Sequence, residues 1–215
     1  MSQEGSIVLI DSFRYIPPRL EAEVCQIYDQ ELFQTTTPIP TTTPAASGTD
    51  CITVNFENNF NDDFVSSTQQ CKGYSAWNLG SYLSTDIESI FPESNTFISP
   101  NMSSSCISSF VFEMKPAGVV EVNVYMKSLS DLDYLIVLVN KVVPGAIDTV
   151  AGFQLYYATN NNFVEGWNTL KVAVSDFTPF NGYITLIGST AEDSIVLIDS
   201  FRYIPPNREN PCNIY

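Results

Sequence analysis

The 215-residue sequence predicts an all-β fold, on three observations. Apolar and polar residues alternate with a period of two through most of the second half of the chain. Clusters of Gly, Pro and Asn punctuate the alternating runs. No stretch carries a convincing amphipathic-helix pattern.

Taken in order, strands are expected at 107–114, 119–127, 134–140, 152–158, 167–174, 183–188 and 194–204. The run VVEVNVYMK at 119–127 is the clearest. Val120, Val122, Val124 and Met126 share one face, and Glu121, Asn123, Tyr125 and Lys127 the other, as in a half-buried strand. The remaining runs are rich in Val, Ile, Tyr and Phe, which fit a pleated surface. Lys115–Gly118, Val143–Gly145, Asn160–Asn162 and Phe180–Gly182 supply turns between them. LSDLDYL at 129–135 reads equally well as one helical turn or as a loop entering a strand. Short strands at this spacing build a sandwich or a barrel.

Composition then narrows the classes of function. Acidic residues outnumber basic ones 24 to 9, a net charge of −15, which excludes the clustered Lys and Arg of a nucleic-acid surface and disfavours anionic lipid. Hydrophobic residues at 44% mark a chain that folds and is not a solvated acidic tail. The chain has no histidine, which closes Ser-His-Asp and Cys-His catalysis and nearly all catalytic zinc arrangements. Five cysteines, at 25, 51, 71, 106 and 212, form no CxxC pair. That spacing suits structural disulfides in a secreted or surface protein better than metal or redox chemistry. No apolar run is long enough for a membrane span. The first residues lack the basic start of a signal peptide, so the chain is expected to be a piece of a secreted-type protein.

One internal repeat stands out. SIVLIDSFRYIPP occupies 6–18 and recurs unchanged at 194–206, and Cys25-Gln26-Ile27-Tyr28 answers Cys212-Asn213-Ile214-Tyr215. This predicts a tandem array with three parts in the present chain: the last strand and tail of one unit at 1–30, a linker at 31–49, and a complete unit at 50–215. The linker holds TTTPIPTTTPAASG, whose Thr/Pro composition predicts an extended connector or an O-glycosylated stalk. The duplicated strand predicts competition for one slot between two molecules, hence a route to self-association. Cys25 is left as a free or intermolecular thiol.

From Cys51 onward a series of landmarks follows in order. Cys51 precedes Phe56-Glu57; Cys71 precedes Trp77; Ser99-Pro100 precedes Cys106 and its alternating strand; Gly166-Trp167 opens a later strand; and LIDSF at 197–201 precedes Cys212. This order resembles a MAM domain, the adhesion module of meprins, neuropilins and receptor tyrosine phosphatases, over essentially all of 50–215. Ser200 stands where the family carries a second aspartate, and 128–165 has no family landmark. The resemblance implies a jelly-roll β-sandwich of two antiparallel sheets and a non-catalytic extracellular module for adhesion or recognition of a protein or matrix partner. Four cysteines alone allow three pairings; the resemblance implies Cys51–Cys71 and Cys106–Cys212. Carbohydrate-binding jelly rolls share the terminal-strand pattern, so a glycan-binding module with a structural calcium is the alternative.

Candidate sites follow from the same frame. Glu57, Asp62 and Asp63 come just after the first strand and Asp199 lies inside the last, regions that jelly rolls bring together, sometimes around a calcium or sodium ion. An unpaired Asp199 in so apolar a strand would be costly, so a cation, a hydrogen-bond network or Arg202 must meet it. Glu113 with Glu121 is a conceivable glycosidase pair, but nothing in their spacing supports one. Among the aromatics Tyr74, Trp77, Tyr82, Tyr156, Tyr157 and Trp167, the two tryptophans are expected in the core, and Tyr156 and Tyr157 on opposite faces of a strand. Asn101-Met102-Ser103 is a glycosylation sequon.

Overall fold

Strand formation follows the alternation closely. The computed structural model describes residues 51–57, 64–65, 69–101, 104–160, 163–206 and 212–215, which fall within the unit Ile39–Tyr215. The repeat copy and tail at 1–30, the linker at 31–49, Asp62, Asp63 and Cys25 lie outside these residues. The strands are β1 (Ile52–Val54), β2 (Phe64–Val65), β3 (Asn78–Ser81), β4 (Thr96–Ser99), β5 (Ser105–Ser109), β6 (Phe112–Met114), β7 (Val119–Lys127), β8 (Tyr134–Lys141), β9 (Thr149–Tyr157), β10 (Gly166–Ala173), β11 (Phe180–Ser189) and β12 (Ile195–Ile204).

They make two antiparallel sheets, the expected jelly-roll β-sandwich. Sheet 1 runs β10-β7-β12-β4-β3, with β1 also on β12; sheet 2 runs β2-β5-β11-β8-β9, with β6 also on β11. Val120, Val122, Val124 and Met126 of sheet 1 join Leu135, Val137 and Val139 of sheet 2 in a single core, all fully buried. Burying each such side chain contributes roughly 1.5–3 kcal/mol. The run at 129–135 is a loop entering β8 at Tyr134, tied by Asp133, which accepts from the Ser128 hydroxyl and the Ala191 amide at 2.5 and 2.6 Å. The segment expected as one strand over 107–114 is broken into β5 and β6, both lying on β11. At the break the Ser109 hydroxyl accepts from the Ile184 amide at 2.9 Å, a side chain standing in for the ladder.

The cysteines pair as Cys51–Cys212 and Cys71–Cys106, with Cα–Cα separations of 5.8 and 5.1 Å. This corrects the Cys51–Cys71 and Cys106–Cys212 pairing implied by the family resemblance, and the topology gives the reason. β1 lies along β12 with Ile52 opposite Tyr203, so Cys51 meets the chain just beyond β12, where Cys212 returns. Cys106 is on β5 in the other sheet. A bridge between Ser75 and Ser105, with the Cys106 amide donating to the Ser75 carbonyl at 2.8 Å, holds the Cys71 turn beside it.

Candidate functional site

The outer face of sheet 1 is organised in rows across β10, β7 and β12. Lys171, Glu121 and Arg202 form a charged row: Glu121 takes ion pairs of 2.8 Å from Lys171 and 2.6 Å from Arg202. Burial pushes the Glu121 carboxyl up, but hydrogen bonds and charge from the two cations outweigh it and hold it below its ordinary pKa. Thr169, Asn123 and Ser200 form a hydrogen-bonded row, Thr169 donating to Asn123 at 2.8 Å and Asn123 to Ser200 at 3.0 Å. Trp167 lies against Tyr125 in a third row, ring centroids 5.4 Å apart. Glu121 and Asn123, on the face expected to meet solvent, are only 6% and 5% exposed.

A loop carried by the one-turn 3-10 helix Tyr82–Ser84 roofs part of this face. Trp167 Nε1 donates to the Glu88 carbonyl at 2.9 Å, and Tyr82 packs against Phe97 and Trp167. A cleft of about 460 Å³ opens in the loop among Tyr82, Leu83, Ile87, Glu88, Pro92 and Asn95. Under it lies Asp199, fully buried at a β-bulge where the β12–β7 register shifts between Ile198 and Ser200. The extra residue of a bulge leaves the ladder and re-aims its side chain. Tyr82 Oη donates to Asp199 Oδ1 at 2.9 Å, while Asp199 Oδ2 and the nearby Tyr215 hydroxyl have only the neighbouring Ser94 and Ser200 hydroxyls, and no partner at full hydrogen-bond geometry among the described residues.

Glu57 is brought to the same region, as expected. Phe56 sits in the left-handed region at φ 57°, with its ring 5.5 Å from Phe64, and turns the chain so that Glu57 reaches the loop. Glu57 Oε1 accepts from the amides of Asn95 and Thr96 at 2.7 and 2.9 Å and from the Thr96 hydroxyl at 3.1 Å. Burial raises its pKa, but these bonds bring it below the ordinary value. Asp199 moves the other way: burial pushes it up, the hydroxyls of Ser94, Ser200 and Tyr82 pull it down, the Glu57 charge adds to the rise, and the net shift is upward. Tyr82 is raised by burial and by Asp199, and Tyr215 is raised to about 12, chiefly by burial. Of the four carboxylates expected around a cation, Glu57 and Asp199 are described, and these two alone do not supply the six to eight oxygens that calcium takes. No group of three His, Cys, Asp or Glu suited to a metal occurs among the described residues. The described residues fit a hydrogen-bond network, with Arg202 committed to Glu121.

A group whose pKa rises on folding stabilises the fold at low pH and loses that contribution as pH climbs from its unfolded to its folded value. Asp199→Asn, of equal size and uncharged, is therefore expected to melt higher than the parent at pH 7, with the difference vanishing below about pH 4. Thermal melts of both proteins across pH, with chelator and with calcium, check this. A parent Tm that climbs with calcium, lost in the variant, would give the residue to a cation instead.

The outer face of sheet 2 is apolar over β8 and β9 and bears no charge in its central rows, which continue into Thr185 and Ser108 on β11 and β5. Cross-strand pairing sets Tyr157 by Tyr134, Leu155 by Ile136 and Phe153 by Leu138, and Ile136 in turn by Ile187 and Cys106. Phe153 is 63% exposed, Val150 51% and Leu155 38%. The Cys71–Cys106 disulfide underlies the strip, packed with Ile187, Tyr134, Ile136 and Leu138. On the outer edge of β9 the Ala151 carbonyl accepts from Ser175 and the Leu155 carbonyl from Gln154.

Other expected residues fall as follows. Trp77 is core, 4% exposed, but Trp167 belongs to the outer face of sheet 1, because its partner Tyr125 points away from the valines of β7. Tyr156 is buried and Tyr157 half-buried, one ring to each face. Glu113 lies on sheet 2 and Glu121 on sheet 1, so they form no pair. Asn101 of the sequon donates from Nδ2 to the Ala76 carbonyl and accepts from Asn78, tying the loop ahead of β5 to β3.

No protein-family model and no curated protein matches the chain. Among solved structures it is similar to two cleaved adhesin domains of Lys-gingipain. One matches at 14% identity and TM-score 0.47, covering 72% of this chain and 99% of that domain. The other, from Porphyromonas gingivalis, matches at 10% and 0.48, covering 74% and 99%. It is also similar to a β-1,3-glucan-binding family 6 carbohydrate-binding module from Bacillus halodurans, at 12% identity and TM-score 0.43, covering 75% of this chain and 99% of that one. No helix among the described residues is long and apolar enough to cross a membrane. Two disulfides fit a secreted or surface setting.

Proposed function

We propose that the chain is a non-catalytic extracellular adhesion module that engages a second copy of itself through the apolar outer face of sheet 2. The observation that carries this is the ladder Val150, Phe153, Leu155 and Tyr157 beside Tyr134, Ile136 and Leu138, uncharged in a chain of net charge −15. Like charge over the rest of the surface opposes self-contact, so an uncharged face is where two copies can meet. A two-fold contact is self-complementary; laid antiparallel, two ladders set Phe153 against the partner's Leu155. The MAM resemblance stays a proposal of kinship through its order of landmarks, without its cysteine pairing.

Sedimentation velocity over a concentration series tests the reading. Dimerisation is expected to strengthen with salt as repulsion is screened. Phe153→Asp, at an exposed position, is expected to weaken it at least about tenfold, equivalent to about 1.4 kcal/mol, while leaving the melting temperature in place. A chain that stays monomeric in the millimolar range, or a dimer indifferent to Phe153→Asp, overturns the reading. So does binding of a soluble β-glucan that is lost in Trp167→Ala.

A further inference from the structure

The end of the sandwich where β10 passes to β11 holds apolar side chains away from the core. Phe177, in the β10–β11 loop, is 100% exposed, and Ile147, in the β8–β9 hairpin, is 74% exposed. Three contacts clamp these loops side by side. Lys141 pairs with Asp176 at 2.7 Å, the Val142 amide donates to the Asn181 carbonyl at 2.9 Å, and the Ser175 amide donates to the Ala151 carbonyl at 2.7 Å. The β6–β7 turn braces them further, the Ala117 amide donating to the Val174 carbonyl and the Val174 amide to the Gly118 carbonyl.

The polar groups of this end are turned inward. Besides Lys141, the Asp176 carboxylate takes the Phe177 and Thr178 amides at 2.7 and 3.3 Å. Asp148 accepts from the Val143 amide at 3.1 Å and from the Tyr183 hydroxyl at 2.9 Å. The Ala146 amide donates to the Val143 carbonyl at 3.1 Å, and Pro144 and Pro179 have no amide hydrogen. The flanking charges, Glu113 and Lys115, are of opposite sign. In a chain of net charge −15, this end presents apolar tips over bonded amides and paired charge.

We propose that this end docks on an uncharged phospholipid surface, with Phe177 and Ile147 entering the boundary between headgroups and acyl chains. Lipid requires two things of a loop that enters it. The side chains must be apolar, and the backbone amides must already be bonded, because hydrocarbon offers nothing in place of water. Both conditions are met at these tips. A protein interface makes no second demand, since it supplies acceptors of its own; Asp176 occupies amides that a protein partner could have bound. Net charge then selects the membrane. Anionic lipid repels so acidic a chain and is concentrated on the cytoplasmic leaflet, so a secreted or surface protein meets the neutral one. Two side chains make a weak and reversible attachment, as one short acyl chain does. Phe153 and the sheet 2 contact take no part in it.

The test floats the full chain through a density gradient with phosphatidylcholine vesicles at millimolar lipid. Co-flotation is expected, and replacing part of the phosphatidylcholine with phosphatidylserine is expected to weaken it. Phe177→Ser is expected to lower the partition constant at least about tenfold, equivalent to about 1.4 kcal/mol, without moving the melting temperature or the sedimentation coefficient. Asp176→Ala keeps the ring but bares two amides and leaves Lys141 unpaired, and is expected to weaken partition by about tenfold as well. Phe153→Asp is expected to float as the parent does, so the sheet 2 reading can fail while this one stands. Protein that does not float with phosphatidylcholine overturns the proposal. So does binding that phosphatidylserine strengthens, that Phe177→Ser or Asp176→Ala leaves unchanged, or that Phe153→Asp abolishes. Loss of self-association in Phe177→Ser without vesicles would give the tip to a protein partner and overturn it too.

Discussion

Cys51→Ser is expected to destabilise the fold by about 5 kcal/mol in the absence of reductant, more than loss of the other bridge. The bridge that it removes spans 161 residues, against 35 for Cys71–Cys106, and in the chain-entropy model a longer closed loop constrains the unfolded chain more. Native geometry points the same way. β1 has only three residues, Ile52–Val54, and reaches sheet 1 through β12 alone. Without the covalent end it has little to hold it, and Phe56 and Glu57, which depend on its path, lose their places beside Phe64 and Asn95. Denaturant titration of parent and variant measures the difference. A variant within about 0.5 kcal/mol of the parent would show that the bridge does not close in solution. Cys71→Ser should lose less, about 3–4 kcal/mol.

Trp77→Ala is the second large loss expected, about 3–5 kcal/mol. The indole is 4% exposed and its Nε1 donates to the Leu186 carbonyl of β11 at 3.1 Å. Its ring lies over Gly188, where an added Cβ would stand 2.7 Å from the ring edge. That closeness makes the two positions interdependent. Gly188→Ala alone is expected to lose about 1–3 kcal/mol from overpacking. In the Trp77→Ala background the methyl has room, so the double variant should be clearly more stable than additivity requires. Four denaturation curves measure the coupling; strict additivity would mean that the indole does not rest on Gly188.

The alternation of β7 through β12 was legible because one face of each strand meets a continuous core. β2 to β4 were not read as strands. They are two to four residues long, and Asn78-Leu79-Gly80-Ser81 has no period; its place is set by pairing with β4, where Gly80 admits the Phe97 ring. Of the candidate sites, Glu57 and Asp199 were legible as neighbours, since a carboxylate in LIDSF must be met by something. The Tyr82 hydroxyl that meets it arrives from a loop 117 residues away in sequence, and no pattern announces it. The sheet 2 ladder was missed for a different reason. GFQLYYA reads as an ordinary strand, and only the topology shows that Phe153 and Leu155 lie on the edge strand with their side chains exposed. The cysteine pairing followed the family resemblance instead of the sheets, and the sheets decide it.

Cys51 and Cys212 are 5.8 Å apart at the Cα atoms while enclosing nearly the whole sandwich. Tension applied to the two ends of the chain therefore enters at one sulfur and leaves at the other, and the strands between them carry no load. Such a domain is an inextensible bead while oxidised. Reduction releases a slack of about 550 Å at roughly 3.4 Å for each of the enclosed residues, turning a stiff link into a long compliant one.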